Sequence, residues 1–286
     1  MEDDNNTTLT DDNNSTKDQQ VVFIMHVTTC TIISIGLPLT LVTIFALYSL
    51  VRKDHVAPIY VINLLITDLF QLCCLIVLES QPNTGFRRTV LRIYYCFLLT
   101  SVGSMVCVSL ERYLVIAHPL WYRFRRTIKI SVVICAVVWV IPPVFFFAVL
   151  PLVGTSLAQI ILFIFFITPF PLFIFFLVGT LRALSASVSV SAEEKRRIVG
   201  ILVLVLLIYT FLFLPTIMYL LVATVVAQSR DLDVLSFMFV KLSPLADLSL
   251  YIFIRKEIVG KFLSAVCCCK MESNGNDEPA VNVDDI

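Results

Sequence analysis

The sequence predicts an all-α membrane protein, a seven-transmembrane helix bundle with a short amphipathic helix on the inner membrane face. Three observations carry this. Hydrophobic residues make up 58% of the 286 residues and charged residues only 15%, against about 25% charged in a soluble domain. Seven apolar stretches each reach the roughly 20 residues needed to cross a bilayer core. Nearly every charge lies in the two tails or in short gaps between those stretches. With a mean hydropathy of +0.92, the chain needs lipid as its solvent, which excludes soluble enzymes as a class. The 21 bases balance 21 acids, so bulk charge gives no case for nucleic acid.

Residues 1–21 form a polar tail. Its first twenty residues hold six acids against Lys17. Asn5, Asn6, Asn13 and Asn14 each begin an Asn-x-Ser/Thr sequon, an acceptor for glycosylation on the lumenal side. The leader is acidic where a signal peptide would be basic, so the first helix is expected to direct insertion. The spans are expected at 22–51, 56–79, 88–115, 128–150, 157–183, 196–225 and 234–254. They lack the period-two alternation of barrel strands, which leaves helices. Phe145–Phe147 and Phe163–Phe166 read as lipid-facing or core-filling. The membrane domain covers 22–265. At its end Ile254, Ile258, Phe262 and Val266 recur every four residues beside Arg255, Lys256 and Lys261, the pattern of an amphipathic helix lying on the membrane. In the cytoplasmic tail, 266–286, Cys267, Cys268 and Cys269 suit palmitoylation, the alternative being unmodified thiols. Ser185, Ser187, Ser189 and Ser191 read as kinase substrates or as a polar linker.

Topology follows from Lys and Arg. With the N-terminus outside, fourteen bases fall inside, among them Arg52, Arg123, Arg126, Arg196 and Lys256, and five fall outside: Lys17, Arg87, Arg88, Arg92 and Arg230. The positive-inside rule therefore favours an extracellular N-terminus and a cytoplasmic C-terminus.

An ionisable residue at mid-membrane costs about 2.5–3.5 kcal/mol on insertion scales. Asp68 lies midway along the second span and Asp247 in the seventh; Glu111 and Arg112 close the third, and Glu79 and Lys241 sit nearer outer ends. No HExxH occurs, and the three histidines, His26, His55 and His118, lie in separate segments, so no metalloenzyme site converges. No internal repeat links the halves, which weakens a transporter reading.

Glu111-Arg112-Tyr113 followed by Pro119-Leu120 resembles the signature of rhodopsin-like (class A) G protein-coupled receptors. Asn63-Leu64 with Asp68 is similar to the family's second-helix motif, and Trp139 to its fourth-helix tryptophan. Pro171 matches the fifth-helix proline, Phe213-Leu214-Pro215 the sixth-helix kink, and Asp247-Leu248-Ser249-Leu250-Tyr251 a variant of the seventh-helix motif. The match covers 22–265, with six motifs in order. The resemblance implies a plasma-membrane receptor, not an enzyme, that passes an extracellular signal to a heterotrimeric G protein. Arg112 would pair with Glu111 in a closed bundle and line a partner's cavity when released; by itself it also reads as an interfacial Arg reaching headgroups. Glu193 and Glu194 lie near the family's lock position on the sixth helix, in a basic run. Pro215 supplies a kink, with Tyr209, Phe213 and Tyr251 as the side chains that change partners. Asp68, Ser101, Ser243 and Asp247 fall where the resemblance implies a buried sodium site. Two close carboxyls either share a proton or hold a cation, and a polar core around water is the plain alternative.

The chain departs from the family pattern at several points. Arg87 stands where the outer-disulfide cysteine belongs, and no cysteine lies between Trp139 and Cys267. Cys30, Cys73, Cys74, Cys96, Cys107 and Cys135 are expected to act as small apolar residues. The second outer loop is nearly absent. Thr40 replaces the first-helix Asn, Leu248 the seventh-helix Pro, Phe213 the sixth-helix Trp, and Gly179 the fifth-helix Tyr.

Tyr94 and Tyr95 stand where amine receptors keep an Asp, which argues against a biogenic amine. Arg87, Arg88, Arg92 and Lys241 surround the outer half with cations, so an anionic small molecule or acidic lipid is the expected ligand, with Glu79, Arg92, Tyr94, Tyr95 and Lys241 as candidate contacts. The competing reading leaves Arg87 and Arg88 in solvent and pairs Lys241 with Glu79. Apart from the sodium ion, no cofactor is implied. Two other classes remain open: an ion-coupled transporter or channel using Asp68 and Asp247, and a retinal photoreceptor built on Lys241 with Glu79 as counter-ion.

Overall fold

The computed structural model describes residues 4–54, 59–80, 82–118, 128–186, 192–225 and 230–254, with side chains described for 19–48, 59–80, 82–118, 130–185, 195–224 and 230–252. Within these the chain is a bundle of seven helical spans, and no strand occurs among the described residues. The first three spans are single helices, α1 (Asp4–Asp54), α2 (Ile59–Glu79) and α3 (Thr84–Ala117). The fourth combines α4 (Ile128–Pro143) with a π-helical stretch, Val144–Val149. The fifth joins α5 (Thr155–Ile167) to α6 (Pro169–Ala186), the sixth is α7 (Ala192–Val225), and the seventh joins α8 (Arg230–Lys241) to α9 (Ser243–Ile254). The end bearing the α2–α3 connection is termed outer and the opposite end inner, following the charge count.

Helix boundaries fall within a few residues of the sequence expectation except at the start, where α1 already begins at Asp4. The backbone of the acidic leader thus continues the first span's helix, since the leader has neither Gly nor Pro to stop it. Asn5, Asn6, Asn13 and Asn14 lie on this extension, outside the described side chains. The amphipathic helix, Cys267–Cys269 and Ser187, Ser189 and Ser191 lie outside the described residues.

Local chemistry explains the breaks. Pro142 and Pro143 supply no backbone N–H, and the ladder beyond them slips by one residue, with Leu150 N donating to Phe145 O at 2.8 Å. This turn sends Phe145 and Phe146 into the core and leaves Phe147 outside. Residues 150–154 alone join the fourth and fifth spans, which accords with the short second outer loop. Asn83 caps α3, its Oδ1 accepting from Phe86 N at 3.0 Å. In the seventh span the helix breaks at Leu242, ahead of Pro244. Leu248 does not break it; the proline one turn earlier takes that place.

Packing is densest around α2, α3, α7 and α9, where Leu65, Leu72, Leu98, Met105, Val205 and Phe213 are buried. Spans one, four and five turn many apolar side chains outward, among them Phe45, Val133, Ile164 and Phe175, as lipid contact requires. Spans three and four touch at Gly103, where an added Cβ would lie 2.6 Å from Val138 Cγ1. The six described cysteines are unpaired.

Candidate functional site

Three groups of polar residues lie along the bundle axis. At mid-membrane, Asp68, Gln71, Ser101, Ser243 and Asp247 are all fully buried. Their spans bring them together: α2 supplies Asp68 and Gln71, α3 Ser101, and the first turn of α9 Ser243 and Asp247. Ser101 Oγ donates to Asp247 Oδ2 at 2.9 Å, and Ser243 Oγ approaches the same oxygen at 3.5 Å. Gln71 Nε2 donates to Asp68 Oδ1 at 3.4 Å, and the two carboxyls lie close enough to interact. The break at Leu242 matters here, because it places Ser243 and Asp247 one helical turn apart on the face toward α3. All four expected residues meet. Gln71 was missed, although its place one turn after Asp68 on the same helical face would have found it.

Asp68 Oδ2, Asp247 Oδ1 and Gln71 Oε1 are buried oxygens with no hydrogen-bond partner among the described residues. Such orphaned acceptors are costly in a low-dielectric core. A donor set of carboxylate, amide and hydroxyl oxygens fits a hard cation such as sodium.

At the inner end, Arg112 Nη2 lies 4.0 Å from Glu111 Oε2, with Glu111 itself buried. Tyr113 turns the other way and packs against Phe175 and Phe176 of α6 and His118. The side chains of Glu193 and Glu194 are outside the described set, whereas Lys195 Nζ donates to Leu184 O at 3.1 Å. Above this level, Tyr209 stacks on Phe213 at 4.8 Å and Phe213 on Phe166 at 5.5 Å. The Tyr209 hydroxyl donates to Phe166 O, and Pro215 lies farther along the same helix as Tyr209. Tyr251 is buried on α9. These contacts link spans five and six through one aromatic column.

At the outer end a cavity of about 850 Å³ opens between spans one, two, three and seven. Glu79, Arg87 and Lys241 line it, together with His26, Thr29 and Phe237. Arg92, Tyr94 and Tyr95, also expected as contacts, do not line it. Tyr94 points across the core, its hydroxyl donating to Val240 O at 3.3 Å. Tyr95 stacks on Phe146 of the fourth span, and Arg92 stays half-buried away from the cavity. The expected alternative pairing is corrected too. Lys241 Nζ donates to Thr29 Oγ1 at 2.7 Å and lies 4.6 Å over the Phe237 ring, while Glu79 contacts His26. Arg87 is exposed at the rim. The pairing of His26 with Glu79 joins residues 53 positions apart, which no local pattern in the sequence encodes.

Comparison with known proteins agrees with this architecture. A profile described as 7 transmembrane receptor (rhodopsin family) matches residues 38–159. Proteinase-activated receptor 1 of Xenopus laevis is 26% identical over 218 residues, 64% of this chain and 51% of that protein. G-protein coupled receptor 68 of Homo sapiens is 28% identical over 118 residues, 38% of this chain and 32% of its own length. Type-1 angiotensin II receptor of Ovis aries is 29% identical over 130 residues, covering 42% and 36%. The matches thus span about half or less of these relatives' length.

Proposed function

We propose that this chain, which is similar to the rhodopsin family of seven-transmembrane receptors over residues 38–159, is a plasma-membrane receptor coupling an extracellular ligand to a heterotrimeric G protein. The observation that carries this is the Glu111–Arg112 pair at the inner end of α3, in line with the buried Asp68–Asp247 core and the outer cavity. No covalent chemistry is called for. Ligand binding works by favouring one of two arrangements of the same bundle.

The cavity offers Lys241 and Arg87 as cations and Phe237, Leu75 and Leu91 as apolar walls. This suits a ligand with an anionic head and an apolar tail. A shift of Lys241 moves α8, and through the break at Leu242 it moves Ser243 and Asp247. Asp68, Asp247, Ser101 and Ser243 would hold a sodium ion there, which would offset the charge of the carboxylates. Rearrangement of Ser243 and Asp247 lets α9 and α7 move about Pro215, where the aromatic column of Phe166, Tyr209 and Phe213 changes partners together with Tyr251. Arg112 leaves Glu111 and lines the opened inner face for the transducer. The orientation is that of the charge count, with the sequons outside and the cysteine-rich tail inside, where palmitoyl chains on Cys267, Cys268 and Cys269 anchor it.

The transporter and photoreceptor readings gain nothing from these relatives, which carry receptor names. A Schiff base on Lys241 would also lack its counter-ion, since Glu79 is engaged by His26. Guanine-nucleotide exchange by a panel of G proteins, measured in membranes carrying the chain or its Arg112→Ala variant, tests the proposal. Exchange that falls in the variant is expected. Ion flux without exchange in either protein would overturn the receptor reading.

A further inference from the structure

The structure points to a divalent transition-metal site at the rim of the outer cavity, and we propose that His26, Cys30 and Glu79 together bind Zn²⁺ there. His26 and Cys30 stand one turn apart on α1, and Glu79 ends α2. One ligand atom from each lies within 4.8 Å of the other two. His26 Nε2 faces Cys30 Sγ at 3.9 Å, while Glu79 rests against Nδ1 of the same ring. Tetrahedral zinc with bonds of about 2.0–2.3 Å places its ligands roughly 3.3–3.8 Å apart. The nitrogen–sulfur separation is therefore a few tenths of an ångström too long, and only the Glu79 carboxylate has to swing from Nδ1 to the metal.

The donor set selects the metal. A thiolate and an imidazole are poor ligands for Mg²⁺ or Ca²⁺ and good ones for zinc. Charge also balances. Neutral imidazole, thiolate and carboxylate bring two negative charges to a dication, giving a neutral complex that Lys241 and Arg87 on the same cavity wall do not repel. Binding forms the Zn–S, Zn–N and Zn–O bonds and releases the Cys30 thiol proton to water. His26 and Cys30 are exposed and Glu79 half-buried, so the ion enters without unfolding the bundle. Three protein ligands leave a fourth position for water or for an anionic group in the cavity.

Bound zinc staples span one to span two beside the Lys241–Thr29 hydrogen bond, which ties span one to span seven. The rim of the cavity then closes on two sides of α1, so zinc acts as a modulator of this pocket. The site itself does not depend on G protein coupling, and its test is a binding measurement made without a transducer.

The experiment is a Co²⁺ titration of the purified full-length chain in detergent, followed by Zn²⁺ displacement. A thiolate-to-cobalt charge-transfer band is expected in the near ultraviolet, saturating at one equivalent and abolished by Zn²⁺. Cys30→Ser should remove the band. His26→Gln and Glu79→Gln should each weaken zinc affinity by about tenfold or more, since even outer-shell partners are worth 10–100-fold. The wild type should also gain thermal stability with Zn²⁺ and none with Mg²⁺. A folded wild type without the band, or a band that survives Cys30→Ser, overturns the assignment; the first result decides it even if a variant fails to fold.

Discussion

The ring of Tyr113 fills the space that a side chain at Gly179 would occupy: a Cβ built there would lie 2.6 Å from Tyr113 Cε2. Sequence comparison marks Gly179 as a lost fifth-helix tyrosine, yet the loss has a structural counterpart. Tyr113 packs flat against Phe176 with its ring centre 5.8 Å away, and α3 and α6 close upon each other around it. The contact places the residue after Arg112 in the helix–helix seam, which fixes the backbone that carries the Arg112 side chain.

Gly179→Ala should therefore be destabilising, despite the higher helix propensity of alanine. Overpacking costs about 1–3 kcal/mol, against roughly 0.5–1 kcal/mol gained from removing a mid-helix glycine. The thermal midpoint in detergent should fall for Gly179→Ala. In a Tyr113→Ala background the same change should be neutral or stabilising. Equal shifts in both backgrounds would show that the two residues do not couple.

Much of the core could be read from cost alone. Asp68 and Asp247 stand in apolar runs where a carboxyl is expensive, so they had to face inward, and the structure buries both fully, with Ser101 bonded to Asp247 and Gln71 to Asp68. The outer cavity was harder. Arg92, Tyr94 and Tyr95 share a helix, and α3 is apolar nearly all round, so periodicity could not say which face met the cavity. Tyr94 turns to Val240 and Tyr95 to Phe146. The partnering of Glu79 with His26 joins segments far apart in sequence, and no local pattern encodes that. Helix breaks were legible where proline stands, as at Pro244, but the π-helical slip after Pro143 depends on how the ladder re-forms.

If sodium occupies the core, stability should rise with NaCl over choline chloride at equal ionic strength. A tenfold excess over the dissociation constant adds about 1.4 kcal/mol through mass action. Asp68→Asn removes one charge while keeping an oxygen of similar shape, and should erase the difference between the two salts. Ser101→Ala should weaken it, because Asp247 Oδ2 then loses its shorter hydrogen bond. A salt response unchanged in Asp68→Asn would leave the core to water.

The Tyr209 hydroxyl offers a cleaner packing test. It donates to the Phe166 carbonyl across spans six and five, and the ring remains stacked on Phe213 whether or not the hydroxyl is present. Tyr209→Phe should cost about 0.5–1.5 kcal/mol for the bond, or somewhat more because the carbonyl is left without it. If the column is a switch, the same variant should also raise basal nucleotide exchange, whereas a purely structural bond would lower the thermal midpoint and leave basal exchange unchanged.

The proposed anionic head of the ligand turns on Lys241, which lines the outer cavity. Its ammonium is held by Thr29 and by the face of Phe237, so it is oriented before any ligand arrives. Lys241→Met keeps the apolar stem against Phe237 and removes the charge, with a stability loss of about 0.5–2 kcal/mol from the cation–π contact. Oleate and oleyl alcohol share a tail and differ in the head. The wild type should bind oleate more tightly in a competition assay, and Lys241→Met should bind the two alike. Arg87→Gln, at the exposed rim, should reduce the preference less, since a solvated charge is screened where a buried one is not. Equal binding of oleate and oleyl alcohol by the wild type would remove the anionic head from the proposal and leave an apolar cavity whose lysine serves only to tie span seven to span one.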